Sequence, residues 1–249
     1  KAIVPVHLYG QSCEMEGIMN LAKKYDLKIV EDNAQAIGSI FTFSGGEKKY
    51  AGTIGDIGTT SFYPAKNLGC YGDGGAIFTN NDGLAEKIRM IVNHGENKKY
   101  HHKYIGCNSR LDSIQAVILN IKLKYLDDYN STRRIMANNY NMAFKNINNL
   151  QTPIEIDNST HVYHQYTLKV LNGKRNELKE YLQSKGIPSM IYYPIPLYKQ
   201  EAFSKYVDDS YHLKNTEKLS MNVLSLPIHS EIENSHQDYI IDEVINFFK

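Results

Sequence analysis

The chain has 249 residues, 42% of them hydrophobic and 22% charged, the composition of a globular protein with room for one large domain or two smaller ones. Its 28 basic and 27 acidic residues leave a formal charge of +1, which excludes bulk electrostatic attraction to nucleic acid or a membrane surface. The apolar runs are too short to span a bilayer, and no signal sequence is visible.

Residues 2–8 read as a buried strand that starts almost at the first residue, Lys1, so an N-terminal portion of the natural protein is expected to be absent here. Ser12 is the expected N-cap of a helix reaching Tyr25, with Met15, Ile18, Met19, Ala22 and Tyr25 on one face. Residues 27–31 form the next expected strand, with Asp32 at its C-terminal end. Strands are expected at 39–43, 57–62 and 75–79, and a helix at 82–94 capped by Asp82. This alternation predicts an α/β layered domain with a mostly parallel sheet. Two long helical patterns follow, 111–126 and 128–147. The Asn-rich stretch 146–158 reads as a boundary. Beyond it a strand (162–171), a helix (174–185) closed by Gly186, a strand (187–193) and a final helix after Asn234 predict a smaller α+β domain. The expected division is 1–127 for the large domain, incomplete at its N-terminus, and 128–249 for the connecting helix and small domain.

Cys13, Cys70 and Cys107 are odd in number and widely spaced, which fits a reducing compartment, so a cytoplasmic location is expected. His94, His101 and His102 lack an accompanying acidic cluster, and no metal site is expected. The segment around them reads as a polar loop in which Lys98, Lys99 and Tyr100 are either solvated or placed to meet a diphosphate. Structural, hydrogen-bonded roles are expected for His161 and His164.

The most informative segment is TSFYPAKNLGCYGDGGA, residues 60–76. A strand ends at Phe62–Tyr63, Pro64 cannot donate to the ladder, and Lys66 then sits in a loop among Gly69, Gly72, Gly74 and Gly75. A lysine so presented is a candidate amine nucleophile, or merely a solvated charge. Asp32 follows a buried strand, where α/β folds place ligand-contacting groups. A lysine and an acid together are what a pyridoxal-phosphate (PLP) enzyme requires, one to bond the cofactor and one to face its ring nitrogen. Gln35 lies three residues beyond Asp32, within reach of the ring hydroxyl.

The segments EDNAQAIGS, SFYPAKNLGCYGDGGAIFTN, NHGENKKYHHKYIGCNSRLDSIQA and YYPIPLYKQEAF, in that order, resemble the DegT/DnrJ/EryC1/StrS family of sugar aminotransferases, which have the fold-type I architecture of PLP enzymes. The resemblance covers nearly the whole chain. It implies that Lys66 is the Schiff-base lysine and general base, that Asp32 faces the pyridine nitrogen, that Gln35 lies near the ring hydroxyl and that Ser61 binds the cofactor phosphate. It implies that Asn108 reaches the phosphate of a neighbouring subunit's cofactor, so that active sites form across a homodimer interface. Arg110, Tyr192 and Tyr193 lie where related enzymes contact a nucleotide-sugar. The implied reaction transfers an amino group from glutamate to a nucleotide-linked keto-sugar, in the making of surface polysaccharides such as O-antigen. Several segments look most like members acting at C3 of a dTDP- or UDP-linked hexose, with C4 amination left open. A relative with histidine at the lysine position is a dehydratase, so Lys66 favours transamination. Two departures stand out. Relatives often have His where this chain has Tyr192, and they carry an N-terminal segment with a Gly-Thr turn and a ring-stacking aromatic, neither of which is found here. A family member that binds the cofactor without turnover and an inactive fragment remain as alternatives.

Overall fold

A computed structural model describes residues 1–208 and 210–249. The elements in chain order are β1 (Ala2–Ile3), α1 (Met15–Tyr25), β2 (Lys28–Asp32), β3 (Ile40–Thr42), β4 (Lys48–Tyr50), β5 (Ile57–Ser61), β6 (Gly75–Phe78), α2 (Asp82–Val92), β7 (Glu96–Lys98), β8 (His101–His102), α3 (Ser113–Lys122) and α4 (Leu126–Phe144). Then come β9 (Leu150–Gln151), β10 (Tyr166–Val170), α5 (Arg175–Ser184), α6 (Lys214–Asn222), β11 (Val223–Leu226) and α7 (Asn234–Phe248). The contacts divide the chain into two compact units, Lys1–Ser131 with Glu155–His164, and Thr132–Ile154 with Gln165–Lys249.

The first unit is built on a four-stranded sheet in the order β1-β2-β5-β6. β1, β2 and β5 are parallel, and β6 runs antiparallel to β5. The α/β class is therefore as expected, with a mixed sheet. Met15 and Ala22 of α1 pack with Ile29, Phe41 and Ile54 into one apolar cluster. Phe62, Leu68, Cys70, Leu119 and Leu126 form a second, which lies beneath the loop carrying Lys66.

Two helix starts differ from the sequence reading. α1 begins at Met15 because a 3-10 turn at Leu8–Gly10 delays it, and the Glu14 carboxylate, not Ser12, caps it by accepting from the Gly17 N–H at 2.8 Å. α2 is capped by Asn81, whose Oδ1 accepts from the Leu84 N–H at 3.0 Å, and Asp82 is the first helical residue. The strand expected at 2–8 is shorter, continuing past β1 only as a bridge from Val6 to Asp32.

The second unit holds the antiparallel sheet β11-β10-β9. Leu168, Val170, Leu224 and Leu226 of its strands are buried, as are Leu178 and Leu182 of α5 and Val244 of α7. Tyr140 stacks on Phe144 with ring centroids 5.7 Å apart and meets Tyr166 at 4.8 Å. Gly186 follows α5 with φ +73°, the left-handed ending read from the sequence. The strand expected at 187–193 does not form. Pro188 and Pro194 bracket it without N–H groups to give, and only Met190 bridges to Ser225. Among the described residues, no helix is long and apolar enough to cross a membrane.

Candidate active site

Strand period decides which way the residues of β2 face. Ile29 and Glu31 are buried on one side, and Asp32 points to the other, half-buried at the strand's C-terminal end. Its backbone is held from both directions, with Asp32 N–H donating to Pro5 O at 2.9 Å and Asp32 O accepting from the His7 N–H at 3.0 Å. The Asp32 carboxylate accepts from the Ala34 N–H at 3.0 Å.

Behind Asp32, on the far face, Glu31 is fully buried. Its carboxylate accepts from the N–H groups of Gly52, Ile54 and Gly55 at 2.8, 2.6 and 2.6 Å and lies 2.9 Å from His7 Nε2. His7 Nδ1 accepts from the Cys13 N–H at 3.1 Å, so Nε2 is the nitrogen that donates to Glu31. Burial alone would push the Glu31 carboxyl up, but these donors outweigh it and hold the group below the ordinary glutamate value. The pattern of β2 offered a signal for this pair, an acid at the same inward phase as Ile29, which the sequence reading did not use.

β5 is in register with β2, Asp32 opposite Thr59, so Ser61 ends β5 at the same edge of the sheet. The loop after it is closed on itself. Phe62 N–H donates to Gly74 O and Phe62 O accepts from the Cys70 N–H, each at 2.8 Å, while Lys66 N–H donates to Tyr63 O at 2.8 Å. A Cβ at Gly69 would collide with the carbonyl of Pro64, so the return of the loop requires glycine there. Lys66 is half-buried. Burial lowers the pKa of its amine from the ordinary lysine value, and the Asp32 carboxylate, within electrostatic reach, opposes the shift without cancelling it. Ser61 Oγ accepts from the Tyr63 N–H at 3.2 Å, which leaves its own hydroxyl hydrogen to donate. Gln35 Oε1 accepts from the Tyr9 N–H at 2.6 Å. Asp32 and Ser61 thus end β2 and β5, and Gln35 and Lys66 lie in the loops that follow them.

Asn108 and Arg110 lie elsewhere in the same unit. Both are exposed, and Arg110 Nε donates to Asn108 Oδ1 at 3.0 Å. They line a cleft of about 750 Å³ with Asp73, Gly75, Ile88 and Val92, whose lining includes none of Asp32, Gln35, Ser61 or Lys66. Lys98, Lys99 and Tyr100 sit on or beside the exposed β7-β8 hairpin. Tyr192 and Tyr193 belong to the second unit, half-buried and exposed respectively, with ring centroids 5.6 Å apart. Among the described residues, no group of three or more His, Cys, Asp or Glu could hold a metal ion. His161 is buried, stacked on Tyr163 with centroids 3.8 Å apart, and accepts from the Tyr163 N–H through Nδ1 at 3.0 Å. Burial pushes its pKa down to about 3.

The model of the DegT/DnrJ/EryC1/StrS aminotransferase family matches residues 1–245, and the chain belongs to that family. It is 43% identical over 251 residues to a pleiotropic regulatory protein of Geobacillus stearothermophilus, covering 100% of this chain and 66% of the relative. It is 43% identical over 244 residues to the dTDP-3-amino-3,6-dideoxy-alpha-D-galactopyranose transaminase of Aneurinibacillus thermoaerophilus, covering 98% of this chain and 64% of the relative. A crystal structure of a DegT DnrJ EryC1 StrS aminotransferase from Brucella abortus superimposes with a TM-score of 0.91 at 40% identity, over 100% of this chain and 64% of that one. The chain thus spans 64–66% of the length of these relatives.

Proposed function

We propose that this chain belongs to a PLP-dependent transaminase that moves the amino group of glutamate to a nucleotide-linked keto-sugar, at C3 of a dTDP- or UDP-hexose. The observation that carries the reading is the pairing of Lys66 with Asp32, a half-buried amine of lowered pKa within electrostatic reach of a carboxylate at the edge of the sheet. The donor set fits a phosphorylated pyridine aldehyde, with an amine to bond the aldehyde carbon, a carboxylate for the ring nitrogen, a hydroxyl free to donate to phosphate and an amide beside them. Bound there, PLP would supply an electrophilic carbon and an electron-accepting ring.

The chain's own groups then have distinct tasks. Lys66 must lose its proton to act as nucleophile and base, and its burial favours the uncharged amine. With an amino-acid substrate in place, the same amine would be the base that takes the proton from its α-carbon. Asp32 keeps the ring nitrogen protonated, and the hydrogen bonds on both sides of its backbone fix where its charge sits. Ser61 donates to the phosphate, and Gln35, oriented by Tyr9, flanks the ring hydroxyl. Arg110, Tyr192 and Tyr193 are assigned to the nucleotide-sugar.

A homodimer with shared sites is part of this proposal. Asn108 is exposed, and the cleft it lines with Arg110 does not include Lys66, as suits a group that serves a neighbouring subunit. On α3, Ile114, Val117 and Ile121 are 73%, 61% and 57% exposed, an apolar stripe of the kind a second copy would cover. C3 as the site of amination is favoured by the Aneurinibacillus relative, whose name places the amine there. A cytoplasmic location and a role in surface polysaccharide synthesis complete the reading.

The test supplies glutamate with 3-keto and 4-keto nucleotide-hexoses and identifies the amino-sugar by mass spectrometry and NMR. The expected product carries nitrogen at C3 and disappears in Lys66→Ala. Amination at C4 alone would refute the regiochemistry, and no amination of any keto-sugar would refute the activity. That last result would favour a cofactor-binding protein without turnover, a reading supported by the regulatory designation of the Geobacillus relative.

A further inference from the structure

We propose that Asn67 and Asn130 are positioning residues that lock the Lys66 loop to the loop following Asp32, an inference that rests on the reading of Lys66 as the reactive amine. Asn130, near the start of α4, is 2% exposed, and Asn67, the neighbour of Lys66, is 6% exposed. The Asn67 Nδ2 donates to Asn130 Oδ1 at 2.7 Å and to Val162 O at 2.8 Å. The Asn130 Nδ2 donates in turn to Ile37 O at 3.1 Å. Because backbone carbonyls only accept, the contacts to Val162 and Ile37 fix which end of each carboxamide is nitrogen. One side chain of α4 therefore touches both segments that carry the paired site groups, 32–38 and 64–69.

Two details show that the bridge is built in rather than incidental. Gly38 has φ +87°, and a Cβ there would stand 2.6 Å from Asn130 Nδ2, so the approach of the carboxamide requires glycine. Asn67 Oδ1 is buried with no hydrogen-bond partner. An apolar side chain would avoid that cost but would lose the tie to α4. A third tie holds the far end of the loop, where Lys122 Nζ donates to Gly69 O at 2.5 Å.

The role predicted for the bridge is to keep the Lys66 amine partly out of water beside Asp32. Cutting it lets the loop relax into solvent, and the amine returns toward the ordinary lysine value of about 10.4. The experiment is competitive trace acetylation of the full chain with cofactor removed, read at Lys66 by peptide mass spectrometry across the lysine titration range. Asn67→Ala and Asn130→Ala are both expected to raise the Lys66 midpoint, and the double variant to raise it no further, since both cut the same bridge. Leu178→Ala, a core change in the other unit, is the comparator that should leave the midpoint in place. Folded bridge variants with an unmoved Lys66 midpoint would overturn the proposal. Should both alanine variants fail to fold, side-chain amide exchange in the unmodified protein decides the matter. Protected Asn67 and Asn130 NH₂ groups are expected, and exchange at the rate of exposed asparagines would overturn it. Borohydride trapping of PLP on the unmodified protein separates this outcome from failure of the underlying reading. A shifted midpoint without trapping at Lys66 would leave the bridge intact and remove the cofactor.

Discussion

In the first unit, the groups withdrawn from water include His7, Glu31, Asn67, Asn130 and His161, and their partners are mostly the backbone of loops. In the second, the sheet β9-β10-β11 packs with α5 through leucine and valine side chains, and Tyr140 is in ring contact with both Phe144 and Tyr166. Apolar packing is tolerant of shape and supplies stability at roughly 25 cal/mol per Å² buried. Buried hydrogen bonds contribute less net stability but dictate where each loop must lie. The unit that holds Lys66 and Asp32 adds to its two apolar clusters a set of buried hydrogen bonds that fix its loops, while the sheet of the other is packed chiefly by apolar side chains.

The sharpest way to break this contrast is to remove a polar hub. Glu31→Ala leaves three backbone N–H groups and His7 Nε2 buried without their acceptor, and should destabilise the protein by about 3–5 kcal/mol. Denaturant unfolding measures it, and a loss under about 1 kcal/mol would show that water replaces the carboxylate at no cost. Leu178→Ala should cost about 2–5 kcal/mol by creating a cavity in the second unit. Its effect should be on stability alone, with PLP trapping at Lys66 unchanged.

Acid should find the polar interior first. His161 has a pKa of about 3 in the folded chain against about 6.5 unfolded, so between those values the unfolded state binds the extra proton. Its contribution is fully present above about pH 6.5 and is lost as pH falls toward 3, at up to about 1.4 kcal/mol per pH unit. Glu31, depressed in the folded state, adds a loss of the same sign as pH falls through its folded value. His161→Asn should flatten the stability profile between pH 6 and pH 4, and an unchanged slope would contradict the burial argument. The smallest effect belongs to a surface cap. Glu14→Ala should cost about 0.5–2 kcal/mol through the lost bond to Gly17 N–H, and thermal unfolding would register it.

The same contrast explains what the sequence disclosed. Short-range patterns announced β2, β5, β6 and every helix but α6, and the lysine loop was recognisable from Pro64 and its glycines. Caps were misplaced where two capping residues lie close together, as with Asn81 and Asp82, because only the chain's entry angle decides between them. The β7-β8 hairpin gave no alternating apolar signal, being built of Glu, Asn, Lys and His. The Asn67–Asn130 bridge joins residues 63 apart, and local periodicity is silent at that separation. The positions of Lys66 and Asp32 were legible, whereas the buried carboxamides and the Glu31 hub behind them were not.

The central claim is that Lys66 is the amine that bonds PLP. The most direct test incubates the protein with PLP, reduces it with borohydride and maps the modified peptide by mass spectrometry, with Lys66→Ala as control. The account predicts a pyridoxyl group on Lys66 that vanishes in the control. A folded protein with Lys66 unmodified, or with label undiminished in Lys66→Ala, would contradict it.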